Sequence, residues 1–62
     1  MPPMKNYQVY SIGPDGSISG DRTIAAANDQ DIVFEVRAMQ RPLDTEIWDG
    51  DRRIAKVPAH RA

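Results

Sequence analysis

Two turn signals, Gly13-Pro14-Asp15-Gly16 and Asp49-Gly50-Asp51, constrain most strongly what this chain can become. Each lies between short runs rich in β-branched and aromatic residues, and that combination reads as a β-hairpin. Pro14 presets φ for the first central position of a type I turn, Asp15 suits the next, and Gly16 can take a left-handed bulge conformation. This register sets Ile12 opposite Ile18 and Tyr10 opposite Gly20. By strand alternation Tyr10, Ile12, Ile18 and Ile24 then share one face, with Tyr7 and Val9 on the other. Gly20 marks a bulge in the second run, Ser17 to Ala25. In the last hairpin, taking Gly50-Asp51 as the central turn residues pairs Ile47 with Ile54 and Trp48 with Arg53. Shifting the turn by one would set Ile47 against Arg52, an apolar side chain against a charge, so the first register is preferred.

Between the hairpins lies a single helical segment. Asn28 is a good N-cap, Asp29 and Asp31 follow in the first turn, and Arg37 and Arg41 stand toward the other end, as the helix dipole favours. Pro42 disfavours helical geometry at Arg41 and is expected to stop the helix. At about 100° per residue Ile32, Val33, Val36 and Met39 form one apolar stripe, and Phe34 falls on the opposite side. The order is therefore ββαββ. The predicted fold is α+β, a four-stranded antiparallel sheet with one helix packed on one face. Residues 1–62 form a single small domain, with frayed tails at 1–5 and 59–62.

Size limits what such a domain can do. A chain of 62 residues buries only about 60% of its unfolded surface. Roughly six to ten large apolar side chains must supply most of the stability, at about 25 cal/mol per Å². There is no Cys, and the only His is His60. Neither a disulfide nor a zinc site is available as a staple, and packing or self-association must serve instead. The lack of Cys fits a reducing cytoplasm. The opening MPPMKNY lacks the apolar stretch of a secretory signal, and no apolar run approaches the length of a membrane span.

Enzymatic chemistry is not expected. A nucleophile needs an oriented base, yet Ser11, Ser17 and Ser19 cluster around a turn and the one imidazole is near the C-terminus. Asp44, Glu46, Asp49 and Asp51 resemble an acidic calcium loop, but alternation along a strand sends neighbouring carboxylates to opposite faces and EF-hand spacing is absent. GPDG lacks the pattern of a phosphate loop. No catalytic residue, metal ligand or cofactor site is assigned, and no small-molecule substrate is evident.

What remains is contact. The net charge of −1 gives no general attraction for nucleic acid. The last segment is locally basic, however, with Arg52, Arg53, Lys56 and Arg61 and no carboxylate side chain. In the preferred register Trp48, Arg53, Ala55 and Val57 lie on the sheet face away from the helix, a face expected to carry Tyr7 and Val9 as well. The simplest role for Trp48 beside Arg53 is a cross-strand cation–π pair. Trp, Tyr and Arg are also enriched at protein interfaces. The candidate interaction residues are thus Phe34, Trp48, Tyr7 and Arg53, and the expected partner is another protein or a second copy of this chain. The alternative is a nucleic-acid contact through Arg52, Arg53 and Lys56.

The pattern Tyr7-x-Val9-Tyr10…Asp15-Gly16-x-Ile18, with Glu46, Trp48, Gly50, Arg52 or Arg53, Ile54 and Ala55 near the end, resembles a group of short, uncharacterised bacterial proteins. Their ends read Y-x-V-Y…D-G-x-I and E-L-W-x-G-x-R-x-I-A. The likeness spans nearly the whole chain and departs in the helix, where those proteins favour Ala, Glu and Arg over Ile32, Val33 and Phe34. It implies a fold and a bacterial cytoplasmic setting, and no chemistry. The reading is a small non-enzymatic interaction module, self-associating, with nucleic-acid binding as the alternative.

Overall fold

The computed structural model describes residues 3–60. Five elements follow in order: β1 (Lys5–Ile12), β2 (Ile18–Ala26), α1 (Asp29–Ala38), β3 (Asp44–Asp49) and β4 (Arg52–Val57). The strands form one antiparallel sheet ordered β2-β1-β3-β4, and α1 packs on one face of it. This is the ββαββ, α+β arrangement read from the two turns and the single helical segment. The two hairpins meet at β1 and β3, so β2 and β4 are the edges.

The first turn forms as its residues dictate. The amide of Gly16 donates to the Gly13 carbonyl at 2.9 Å, that of Gly13 to the Ser17 carbonyl at 2.7 Å, and Gly16 sits at φ 86°. Ile12 pairs with Ile18 as expected. Beyond that pair the ladder slips by one residue. Ser19 is the extra residue, Ser11 faces Gly20, and Tyr10 faces Asp21. The bulge therefore stands one position before Gly20. Past a one-residue bulge every side chain changes face, which places Ile24 with Tyr7 and Val9 rather than with Tyr10, Ile12 and Ile18.

The last hairpin repeats the device. Asp49 pairs with Arg52 and Trp48 with Arg53 across a turn at Gly50, φ 63°, and Asp51, as the preferred register requires. Ile47, however, pairs with Ala55, and Ile54 is the extra residue on β4. The expected Ile47–Ile54 pair is corrected on this ground. Ala55 and Val57 turn toward the helix, while Ile54 lies at the margin, partly buried against the core.

These shifts decide the faces. Val9 pairs with Ile47 and Gln8 with Trp48, and directly opposed residues share a face. Tyr7 and Val9 thus lie beneath the helix, contrary to expectation, and Tyr10, Ile12 and Ile18 lie on the open face with Trp48. The core comprises Tyr7, Val9, Ala26, Ile32, Val36, Ile47 and Val57, with Ser11 and Thr45 as buried polar neighbours.

Asn28 caps α1 as expected, its Oδ1 accepting the Asp31 amide at 2.8 Å. The helix ends before Pro42 is reached. Met39 and Gln40 donate to carbonyls three residues back, Val36 and Arg37, which tightens the last turn, and Gln40 then adopts φ 51°. Of the expected stripe, Ile32 and Val36 are buried and Val33 is partly so, whereas Met39 is left exposed past the helix end. The expected tails partly concern Met1, Pro2, Arg61 and Ala62, which lie outside the described residues. Within them, Lys5 opens β1, the Ala59 amide donates to Asp44 Oδ1 and the His60 amide donates to the Arg41 carbonyl. Among the described residues, no helix is long and apolar enough to cross a membrane.

Candidate interaction surfaces

Where α1 begins, four elements are tied by polar side chains. The Tyr7 hydroxyl donates to Asp29 Oδ1 at 2.8 Å, and Arg52 reaches Asp29 Oδ2 at 3.3 Å and Asp49 Oδ2 at 3.4 Å. Lys5 donates to the same Asp49 oxygen at 2.8 Å, with its ammonium 5.7 Å from the centre of the Tyr7 ring. Two carboxylates and two cations close on themselves, so this cluster joins the helix start to three strands and leaves no free charge. The Tyr7 hydrogen bond is the main reason Asp29 is held below the ordinary carboxylate range, and the Lys5 hydrogen bond does the same for Asp49. Tyr7 is raised, first by burial and then by its bond to Asp29, and Lys5 is raised by its bond to Asp49.

The signs of these shifts give a pH profile. The lowered carboxylates contribute stability that is complete above their unfolded value near pH 4 and is lost as pH falls through their lower folded values. Tyr7 and Lys5, being raised, contribute stability that is complete below about pH 10 and is lost as pH rises through their higher folded values. Melting temperature is therefore expected to fall on both sides of a plateau. An Asp29→Asn, Asp49→Asn double variant should have a flatter acid limb than the parent, and an unchanged limb would remove the cluster from this account.

Phe34 stands in the middle of the outward side of α1, 75% exposed, where helical periodicity places it. A depression lies on each side of the ring. One is lined by Asp29, Gln30, Val33, Arg37 and Ile54, the other by Met4, Ala26, Ala27, Asp31 and Glu35. The first exists because Ile54, thrown out of the ladder by the β4 bulge, leans to the margin beside Val33.

The open sheet face is different in kind. Trp48 is half-buried there, and its indole N–H donates to Glu46 Oε1 at 3.1 Å. Arg53 approaches Glu46 Oε2 at 4.0 Å and Lys56 approaches Asp44 at 3.9 Å. Gln8 Nε2 donates to Thr23 Oγ1 at 3.0 Å. Among the described residues the recorded cation–ring contact is Lys5 over Tyr7, not Arg53 over Trp48.

The sequence-derived candidates are therefore dispersed. Tyr7, fully buried under α1, presents no ring to a partner. Trp48 and Arg53 share the open face, and Phe34 is on the far side of the helix from them. Arg52, Arg53 and Lys56 do not make one strip, since Arg52 reaches Asp29 and Asp49 on the helix side while the other two lie on the open face. Each of the three is within ion-pair distance of a carboxylate, which weakens the electrostatic basis for phosphate contacts. Asp44 and Glu46 lie on the opposite face from Asp49, and among the described residues no three metal-ligating side chains converge. Sequence reasoning missed Arg41, which is partly buried and donates to Ser11 Oγ at 3.1 Å. Its only signal was a position four after Arg37 at the expected helix end.

Comparison with protein-family models, with curated proteins and with solved structures finds no match.

Proposed function

We propose that this domain is a small non-enzymatic interaction module whose partner is a second copy of itself, docked through the outward side of α1. The observation that carries this reading is Phe34, a large ring 75% exposed at mid-helix beside an apolar depression floored by Val33 and Ile54. Isolated exposed apolar residues are ordinary, but a ring next to a hollow is self-complementary. A two-fold contact needs projection and recess on the same patch, because each copy must offer both. Charge follows the same symmetry. Asp31 lies one turn before Phe34 and Arg37 one turn after, so antiparallel copies bring opposite charges together at both ends.

Area limits the strength. Burying much of one ring with parts of Val33 and Ile54 contributes about 2–3 kcal/mol per copy, before the cost of association. The two copies together supply about 4–6 kcal/mol, so the contact is no tighter than about 40 µM, and a dissociation constant of about 0.1–1 mM is expected. Sedimentation at concentrations below and above that range should show the mass rise from 6.9 kDa toward twice that value. Phe34→Glu should remain folded and stay monomeric at both. A parent that is still monomeric at about 1 mM would end the proposal.

A further inference from the structure

Beneath the C-terminal end of α1 the helix stops short of the sheet, leaving a cleft of about 330 Å³. Its floor is Val36, Thr45 and Val57, all buried, and Arg37, Gln40, Arg41 and His60 stand around it. Among the described residues, no carboxylate lines this cleft. An adjoining hollow, sharing Val36, Arg41 and Thr45, adds Arg22 on one side, and Asp21 is the one carboxylate bordering that second space.

The distribution of ion pairs singles this place out. Lys5, Arg52, Arg53 and Lys56 each lie within 4.0 Å of a carboxylate. Among the described residues Arg22, Arg37 and Arg41 have no such neighbour, and all three border the cleft or its adjoining hollow. Arg41 is held in place from both ends. Its carbonyl accepts the His60 amide at 2.8 Å, and its guanidinium donates at 3.1 Å to the hydroxyl of Ser11, a buried residue. A guanidinium has five N–H donors, and the contact with Ser11 engages only one of its nitrogens. A partly buried, pre-positioned fork with its remaining donors unmatched, beside a second guanidinium, is the arrangement that recognises oxyanions. The helix dipole alone would account for cations at this end of α1. It does not account for a guanidinium anchored on Ser11 over a concave floor, where Asp21 is the one bordering carboxylate among the described residues.

We infer that this cleft binds a phosphate group, with Arg41 and Arg37 as its ligands and Gln40 and His60 at its rim. Arg37 and Arg41 bring two positive charges, and among the described residues no carboxylate lies within ion-pair distance of either, which matches a phosphate dianion better than a single carboxylate. The carbonyl end of α1, equivalent to about half a negative charge, reduces this field without cancelling it. The site shares Arg37 with the Phe34 contact and is therefore tested on the monomer.

The test is a titration of the full chain with inorganic phosphate at neutral pH and constant ionic strength, read by amide chemical shifts. The protein is kept at about 10 µM, below the self-association range, so that it is monomeric. Saturable shifts at Gln40, Arg41 and His60 are expected, with a dissociation constant on the order of 1 mM. Acetate should bind at least about tenfold more weakly, and equal binding by acetate would overturn the assignment to phosphate. Arg41→Gln and Arg37→Gln should each weaken phosphate about tenfold, a loss of about 1.4 kcal/mol, while Arg53→Gln should not. Among the described residues the Arg37 side chain makes no hydrogen bond or ion pair, so its variant decides the matter if loss of the Ser11 contact unfolds the other. Shifts that are linear in phosphate, or that survive in Arg37→Gln, would overturn the proposal.

Discussion

Tyr7→Ala is expected to leave the domain largely unfolded at room temperature. Tyr7 is the largest fully buried side chain, and it sits at the centre of the layer between sheet and helix. Truncating a buried aromatic costs about 3–5 kcal/mol through lost burial and the cavity left behind. At about 0.05–0.15 kcal/mol per residue, a chain of 62 residues has only roughly 3–9 kcal/mol of net stability. The same change frees Asp29 from its hydroxyl donor and removes the ring under Lys5, so the loss does not stop at packing. Tyr7→Phe keeps the ring and loses only the hydrogen bond, and it should fold with reduced stability. Circular dichroism with denaturant titration separates the three proteins. A cooperative Tyr7→Ala transition close to that of the parent would mean that the ring is not under the helix, and would restore the face assignment expected from the first turn.

The second large effect concerns two isoleucines that sequence reasoning treated as equals. Ile47→Ala should cost about 2–4 kcal/mol, because Ile47 is fully buried beside Val9. Ile54→Ala should cost less than half as much, since Ile54 is the unpaired bulge residue and only partly buried. The same variant should also weaken self-association, because Ile54 floors the depression beside Phe34. Equal losses from the two substitutions would mean that Ile47 and Ile54 are cross-strand partners after all, and that β4 carries no bulge.

The elements were legible because their signals are local. GPDG, the Gly50-Asp51 turn, the Asn28 cap and the helical spacing of Ile32 and Val36 each act within a few residues, and each forms as read. Phe34 was legible for the same reason, since helical periodicity needs no tertiary information. The faces of the strands were not. NYQVYSI is apolar in both phases, Tyr7 and Val9 in one, Tyr10 and Ile12 in the other. The choice between them is made by the pairing of Val9 with Ile47, a contact no local pattern encodes. Two single-residue bulges, at Ser19 and Ile54, then reverse the alternation in each hairpin. The cationic cleft was hidden more deeply, because Arg22, Arg37 and Arg41 are drawn around it by a helix that ends short of the sheet.

The position of β1 also sets how quickly the chain can find its structure. Each hairpin closes across a short turn, but Gln8 must find Trp48, 40 positions along, before the sheet has a centre. Closing a loop of that length carries an entropic cost that is recovered only once the Tyr7, Val9 and Ile47 layer meets α1. Substitutions at the two turns should therefore act mainly on local hairpin formation, while those in the β1–β3 seam should slow the search for the native state itself. By that logic the second half of the chain, whose ten-residue helix and single hairpin are marginal in isolation, keeps its apolar surface unsheathed until β1 arrives.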